Sequence, residues 1–154
     1  MMNRRSWLGM VAGGAAAVAT GGAAKLLEAA PAPAKILVYK SPTCGCCTAW
    51  VEHLKKSGFE VTTRDVADVA PIKARYGIPT RVASCHTGLV GGYAIEGHVP
   101  ASDIQRLLSE KPKGVGLAVP GMPMGSPGME GGRKDRYDVL LVEQGGATRV
   151  FARH

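Results

Sequence analysis

Lys35-Ile-Leu-Val-Tyr-Lys-Ser-Pro-Thr-Cys44-Gly-Cys-Cys47-Thr-Ala-Trp50-Val-Glu-His-Leu54 is the stretch from which the fold is read. Its first six residues are rich in β-formers and predict a strand. Ser41-Pro42-Thr43 is a turn and cap signal. From Cys46 to Ser57, Trp50, Val51 and Leu54 recur at helical spacing, and Gly58 is a natural stop for that helix. Three cysteines thus fall within four residues, at the turn from a first strand into a first helix.

Working outward, Phe59–Arg64 alternates as a second strand, and Val69–Tyr76 reads as a short helix ended by Gly77 and Pro79. Val82–Thr87 and Leu89–Ile95 read as a hairpin turning at Gly88. Pro100 to about Ser109 is a further helix, with Ala101 or Ser102 as its cap. The order β-α-β-α-β-β-α, starting with a parallel βαβ unit, predicts a thioredoxin-like α/β fold, in which Cys-x-x-Cys occupies the first strand-to-helix turn. Pro79 stands where that fold usually carries a cis-proline, although most X–Pro bonds are trans. Gly114–Gly132 holds seven Gly, three Pro and three Met and predicts a long loop. Tyr137–Glu143 and Thr148–Phe151 then predict a C-terminal β-hairpin across Gln144-Gly145-Gly146.

Residues 1–34 read differently. Arg4-Arg5 precede a weakly apolar Ala/Gly-rich stretch, Trp7–Ala24, and Ala32-Pro33-Ala34 resembles a cleavage site. Asn-Arg-Arg-Ser-Trp-Leu resembles a twin-arginine export motif. The reading is an export signal over 1–34 and a single domain over 35–154, placed in the periplasm. The competing reading is a retained anchor, since 18 residues are near the minimum for crossing a bilayer. The whole chain has 154 residues and a net charge of +7. Three basic residues and one acidic residue precede Lys35, which leaves 16 basic and 11 acidic, net +5. These charges form no run and no basic stripe interleaved with aromatics, so nucleic acid is not an expected partner.

The cysteines carry the chemistry. Cys44 and Cys47 have dithiol spacing at a helix N-terminus, where backbone N–H groups and the dipole favour a thiolate. Cys46 between them has no place in a simple dithiol. Structural disulfides are a second reading. Cys46 and Cys47 are too close in sequence to pair well with each other, so Cys85 would bridge to the cluster. A soft-metal site formed by Cys44, Cys46, Cys47 and Cys85 is the third. Zinc is less expected, because four-cysteine zinc sites draw on two separated Cys pairs. Adjacent cysteines point in different directions and suit bridging of neighbouring ions, hence copper(I) in a polynuclear thiolate cluster. His86 and His98 are possible additional ligands. Alternation along a strand, however, turns Cys85 and His86 to opposite faces. His53 lies about 10 Å along its helix from Cys46 and is not expected at the site. His154 gives no signal. Met122, Met124 and Met129 either ligate metal or pack as adaptable apolar side chains; the loop that bears them is expected to close over the cysteines.

Cys44-Gly45-Cys46-Cys47, Ser84-Cys85-His86-Thr87, Gly92-Tyr93-Ala94-Ile95-Glu96-Gly97-His98-Val99-Pro100 and Gly116–Glu130 together resemble the CopG-like family, built on domain of unknown function 411. The resemblance spans about residues 35–152. It implies a periplasmic thioredoxin-like protein of copper resistance, with the four cysteines as metal ligands. The expected function is copper(I) sequestration or redox handling. A thiol–disulfide oxidoreductase is the alternative from another class. Copper ions, and other copper-handling proteins of the periplasm, are the expected partners.

Overall fold

The computed structural model describes residues 32–154. The export-signal reading falls almost wholly on residues outside this range. Among the described residues, no helix is long and apolar enough to cross a membrane. The elements are β1 (Lys35–Lys40), α1 (Gly45–Lys56), β2 (Glu60–Asp65), α2 (Ala70–Arg75), a 3-10 turn (Thr80–Val82), β3 (His86–Val90), β4 (Tyr93–Glu96), α3 (Ala101–Glu110), β5 (Gly116–Ala118), β6 (Asp138–Val142) and β7 (Thr148–Arg153).

All seven strands form one mixed sheet in the order β2-β1-β3-β4-β5-β6-β7. β1 pairs parallel with β2 and antiparallel with β3, and β3 pairs antiparallel with β4. The expected element order is therefore present through α3. The sheet does not stop there. β4 pairs parallel with β5 (Ala94 with Gly116, Glu96 with Ala118), and β5 carries the β6–β7 hairpin onto the same sheet. β5 is three residues at the start of the Gly-rich segment, too short to leave a periodic signal in the sequence.

Strand alternation divides the core. Ile36, Val38, Ile95, Leu117 and Leu141 face α1 and α3 and pack with Trp50, Val51, Leu54, Ile104 and Leu107. Ala94, Ala118 and Val142 point to the other face, with Ile78 and Val82 over them. Trp50 is fully buried and its indole N–H donates to the Val99 carbonyl at 2.8 Å, so the largest core side chain leaves no polar atom unpaired.

Local chemistry sets the boundaries. α1 ends in a Schellman arrangement: the Phe59 N–H donates to Leu54 O and the Gly58 N–H to Lys55 O, with Gly58 at φ +89°. The β3–β4 hairpin turns at Gly91-Gly92 and not at Gly88. Both of those glycines have positive φ, as a two-residue turn of matching twist requires. Gly88 instead lies inside β3, where a Cβ would stand 2.9 Å from Ile36 Cδ1. No cis peptide bond occurs among the described residues, so Pro79 is trans. α3 has Pro100 as its N-cap residue. In place of Ala101 or Ser102 acting as cap, the His53 ring nitrogen Nε2 accepts the Ala101 N–H at 3.1 Å. Burial lowers the His53 pKa, which keeps this acceptor neutral, while nearby Glu130 opposes the shift.

Trp50→Phe removes the indole N–H and leaves the buried Val99 carbonyl without that donor. A loss of about 2–3 kcal/mol is expected in urea unfolding, with the midpoint falling and the slope unchanged.

Candidate metal centre

The centre is assembled from three segments. The first is the N-terminus of α1. Cys44 is its N-cap residue in an extended conformation (φ −79°, ψ 97°), and its sulfur accepts the Cys47 N–H at 3.4 Å. Cys47 is fully buried; Cys44 and Cys46 are half-buried. Cys44 and Cys47 are joined as a disulfide, whereas Cys46 and Cys85 are free thiols. The bridge from Cys85 to the cluster, which the structural-disulfide reading required, is not the one formed. Dithiol spacing on one helical turn already brings Cys44 and Cys47 together.

The second segment is the approach to β3. Cys85 Sγ lies 3.9 Å from Cys46 Sγ, and Cys46 Sγ lies 3.5 Å from Cys44 Sγ. The four sulfurs all lie within 4.8 Å of one another. The sequence reading thus named four residues that the fold does bring together. One expectation fails here. β3 begins at His86, so Cys85 belongs to the preceding loop and strand alternation does not govern it. His86 Nδ1 lies 3.3 Å from Cys85 Sγ, on the same side. His98 Nε2 lies 3.2 Å from that sulfur. Cys85, His86 and His98 form a second group of potential ligands sharing the Cys85 sulfur.

The third segment is the loop from Val119 to Tyr137. His98 Nδ1 donates to the Pro127 carbonyl at 2.9 Å. That bond commits the proton to Nδ1 and turns the Nε2 lone pair toward Cys85. The Ser84 hydroxyl donates to the Gly121 carbonyl. Gly128 (φ +88°) lies flat against the first turn of α1, and a Cβ there would stand 2.7 Å from Cys46 O and 2.8 Å from Trp50 N. Met122 is half-exposed and its Sδ is 3.9 Å from Cys46 Sγ. Met122 is thus the loop methionine in contact with a cysteine sulfur. His53 caps α3, and His154 pairs with Asp103 at 2.7 Å.

Burial controls protonation. The Cys85 thiol is pushed up to about 11, first by desolvation and then by neighbouring Cys46. Desolvation lowers His86 far below its ordinary value and also lowers His98. Both imidazoles are therefore neutral and able to offer a lone pair. His86 Nε2 is buried without a partner, beneath the Trp50 ring at a centroid distance of 4.3 Å.

The residues beneath Cys85 left no periodic signal in the sequence. Lys73 of α2 reaches Glu96 of β4 at 2.5 Å, both almost fully buried. Glu96 also takes the Ser84 N–H and the Thr87 hydroxyl.

Fold and site define a mixed α/β domain carrying a sulfur cluster, at a strand-to-helix turn, that is able to hold a metal ion. The family described as a protein of unknown function, DUF411, matches residues 82–129. Two solved structures of a copper resistance protein CopG are similar to the chain at 47% identity, each covering 79% of this chain and 98% of that one. Their TM-scores are 0.76 for form 2 and 0.75 for form 1. No curated protein matches the chain. The chain belongs to the CopG-like copper-resistance family, built on domain of unknown function 411.

In metal-free protein, iodoacetamide should modify Cys85 slowly at pH 8. Its rate should climb roughly ten-fold per pH unit up to about pH 10 and level off above 11, as the thiolate fraction does. Gly128→Ala should displace the loop from α1, because the obstructing atoms are backbone. The expected result is faster alkylation of Cys46 with a thermal midpoint only a few degrees lower, on the order of 1 kcal/mol.

Proposed function

We propose that this protein binds copper(I) as its cargo through Cys44, Cys46, Cys47 and Cys85 and so sequesters copper, or changes its redox state, in the periplasm during copper stress. The observation that carries the reading is the convergence of four sulfurs within 4.8 Å at the N-terminus of α1. Thiolates are soft ligands and prefer copper(I). Four sulfurs from two segments, two of them on adjacent residues, suit bridging of more than one ion. Membership of a copper-resistance family supports the choice of metal.

The disulfide adds a condition. With Cys44 and Cys47 joined, only Cys46 and Cys85 supply thiols. Two-electron reduction by a thiol reductant opens the full set. Metal then displaces protons, Cys85's among them, as thiolate ligation requires. His98 Nε2 and Met122 Sδ stand against these sulfurs and supplement them.

The order β-α-β-α-β-β-α and the strand order β2-β1-β3-β4 support a thioredoxin-like core extended by β5, β6 and β7. The Cys44–Cys47 disulfide at that place favours a second reading, a thiol–disulfide oxidoreductase. An export signal over 1–34 and a single domain over 35–154 complete the proposal.

Both readings are tested on the anaerobically reduced protein. Copper(I) titration against a chromophoric chelator should give more than one ion per chain. Prior oxidation to the disulfide, or Cys46→Ser, should lower that number. A single tetrahedral zinc per chain with no copper(I) retained would overturn the copper reading. Insulin-disulfide reduction that survives Cys46→Ser and is abolished by Cys44→Ser would establish the oxidoreductase in its place.

A further inference from the structure

Beneath the sulfur cluster, on the sheet face away from α1, lies a charged group for which metal binding has no direct use. Glu96 is fully buried and Lys73 nearly so. Glu96 Oε1 accepts from Lys73 Nζ at 2.5 Å and from the Ser84 N–H at 2.5 Å. Its other oxygen, Oε2, accepts the Thr87 hydroxyl at 2.7 Å, and that hydroxyl in turn accepts from Lys73 Nζ at 3.1 Å. One carboxylate therefore grips the chain at Ser84, just before Cys85, and at Thr87, two residues after it.

Stability alone does not account for this pair. Desolvating two charges costs several kcal/mol, and well-packed apolar residues of similar volume are often as stable or more so. What an ion pair with four directed hydrogen bonds provides is geometry. Geometry is scarce at this point. Cys85 precedes β3, so no sheet ladder holds its own backbone. Its sulfur nonetheless stands 3.9 Å from Cys46 on another segment and 3.2 Å from His98. Glu96 and His98 are separated by Gly97 alone. At Gly97 (φ +71°) a Cβ would lie 2.6 Å from Ser84 Cβ, so the two segments touch. The same short stretch thus holds Cys85 from below through Glu96 and meets its sulfur from the side through His98.

We propose that Glu96, charge-matched by Lys73, is the positioning residue that sets Cys85 Sγ against Cys46 and His98. The inference rests on the reading of Cys85 as a metal ligand, but its first readout does not. In metal-free protein with the Cys44–Cys47 disulfide intact, Cys46 and Cys85 are the two free thiols. Iodoacetamide labelling at pH 8, followed by peptide mass mapping, gives both rates from one sample. The double variant Lys73→Met/Glu96→Leu removes both charges and keeps the volume. It should retain a cooperative melt while Cys85 labels about ten-fold faster and Cys46 stays within about two-fold. Its copper(I) affinity after reduction should fall about ten-fold or more, the usual effect of losing a residue that orients a ligand.

Glu96→Asp is the second variant, should the double variant not fold. It keeps a charge for Lys73 but is one methylene too short to reach both Ser84 and Thr87, so the rate at Cys85 should again rise relative to that at Cys46. Leu107→Ala, a cavity in the core under α3 on the opposite face of the sheet, is the control for general loosening; it should leave the ratio of the two rates as in the native protein. An unchanged Cys85-to-Cys46 ratio in a folded Glu96 variant overturns the proposal. So does an equal rise at both cysteines matching the Leu107→Ala protein. If the native protein binds no copper(I), the copper reading fails, while the labelling ratio still decides the role of Glu96.

Discussion

The structure depends on one short pairing, the parallel alignment of Gly116–Ala118 in β5 with Ala94–Glu96 in β4. All three β5 residues are buried. Parallel pairing obliges the chain to cross over before it can align, and α3 is that crossover. Once β5 is seated, β6 and β7 extend the sheet. The segment between β5 and β6 leaves the sheet at the end where Cys85 lies. The pairing also fixes Glu96 at a point where its carboxylate meets Ser84, Thr87 and Lys73. Sheet, covering loop and charged group therefore share three residue pairs.

The sulfur centre combines two kinds of support. α1 supplies its N-terminus, with Cys44 as cap residue and its sulfur accepting the Cys47 N–H. The loop supplies exclusion of water, through Gly128 against α1 and through the Ser84–Gly121 and His98–Pro127 hydrogen bonds. Shielding raises the Cys85 thiol and keeps His86 and His98 neutral. Cys85 therefore holds its proton until a stronger competitor displaces it. A soft metal ion is such a competitor. With its disulfide formed, the same site offers two thiols beside two imidazoles, a smaller set of sulfur donors.

Much of this was legible along the chain. The run from Lys35 to Leu54 carried a strand, a turn and an amphipathic helix in succession, and Gly58 marked the stop. The three clustered cysteines declared the chemistry, and Cys85 was their only available distant partner. Other features were read wrongly or missed for physical reasons. Gly88 looked like a turn, yet its missing side chain makes room for Ile36 and Trp50, while Gly91-Gly92 supply the positive φ that the turn needs. Cys85 was assigned to a strand by propensity, and alternation then separated it from His86. The strand starts one residue later, which frees Cys85 from that rule. Lys73 and Glu96 were not singled out, since nothing in their local sequence records that they meet.

The sequence by itself determined the local vocabulary: where most of the strands and helices lie, that three thiols sit at a helix N-terminus, and that most of a Gly/Pro/Met-rich segment is loop. These follow from side-chain shape, backbone freedom and spacing, which act over a few residues. Only the tertiary structure decided that Cys85 joins the three, that His98 and Met122 stand at their sulfurs, and that a buried carboxylate holds the Cys85 segment. Each of those depends on strand order and on the path of the covering loop. Both are set by burial and hydrogen bonding between segments tens of residues apart, which no local pattern encodes.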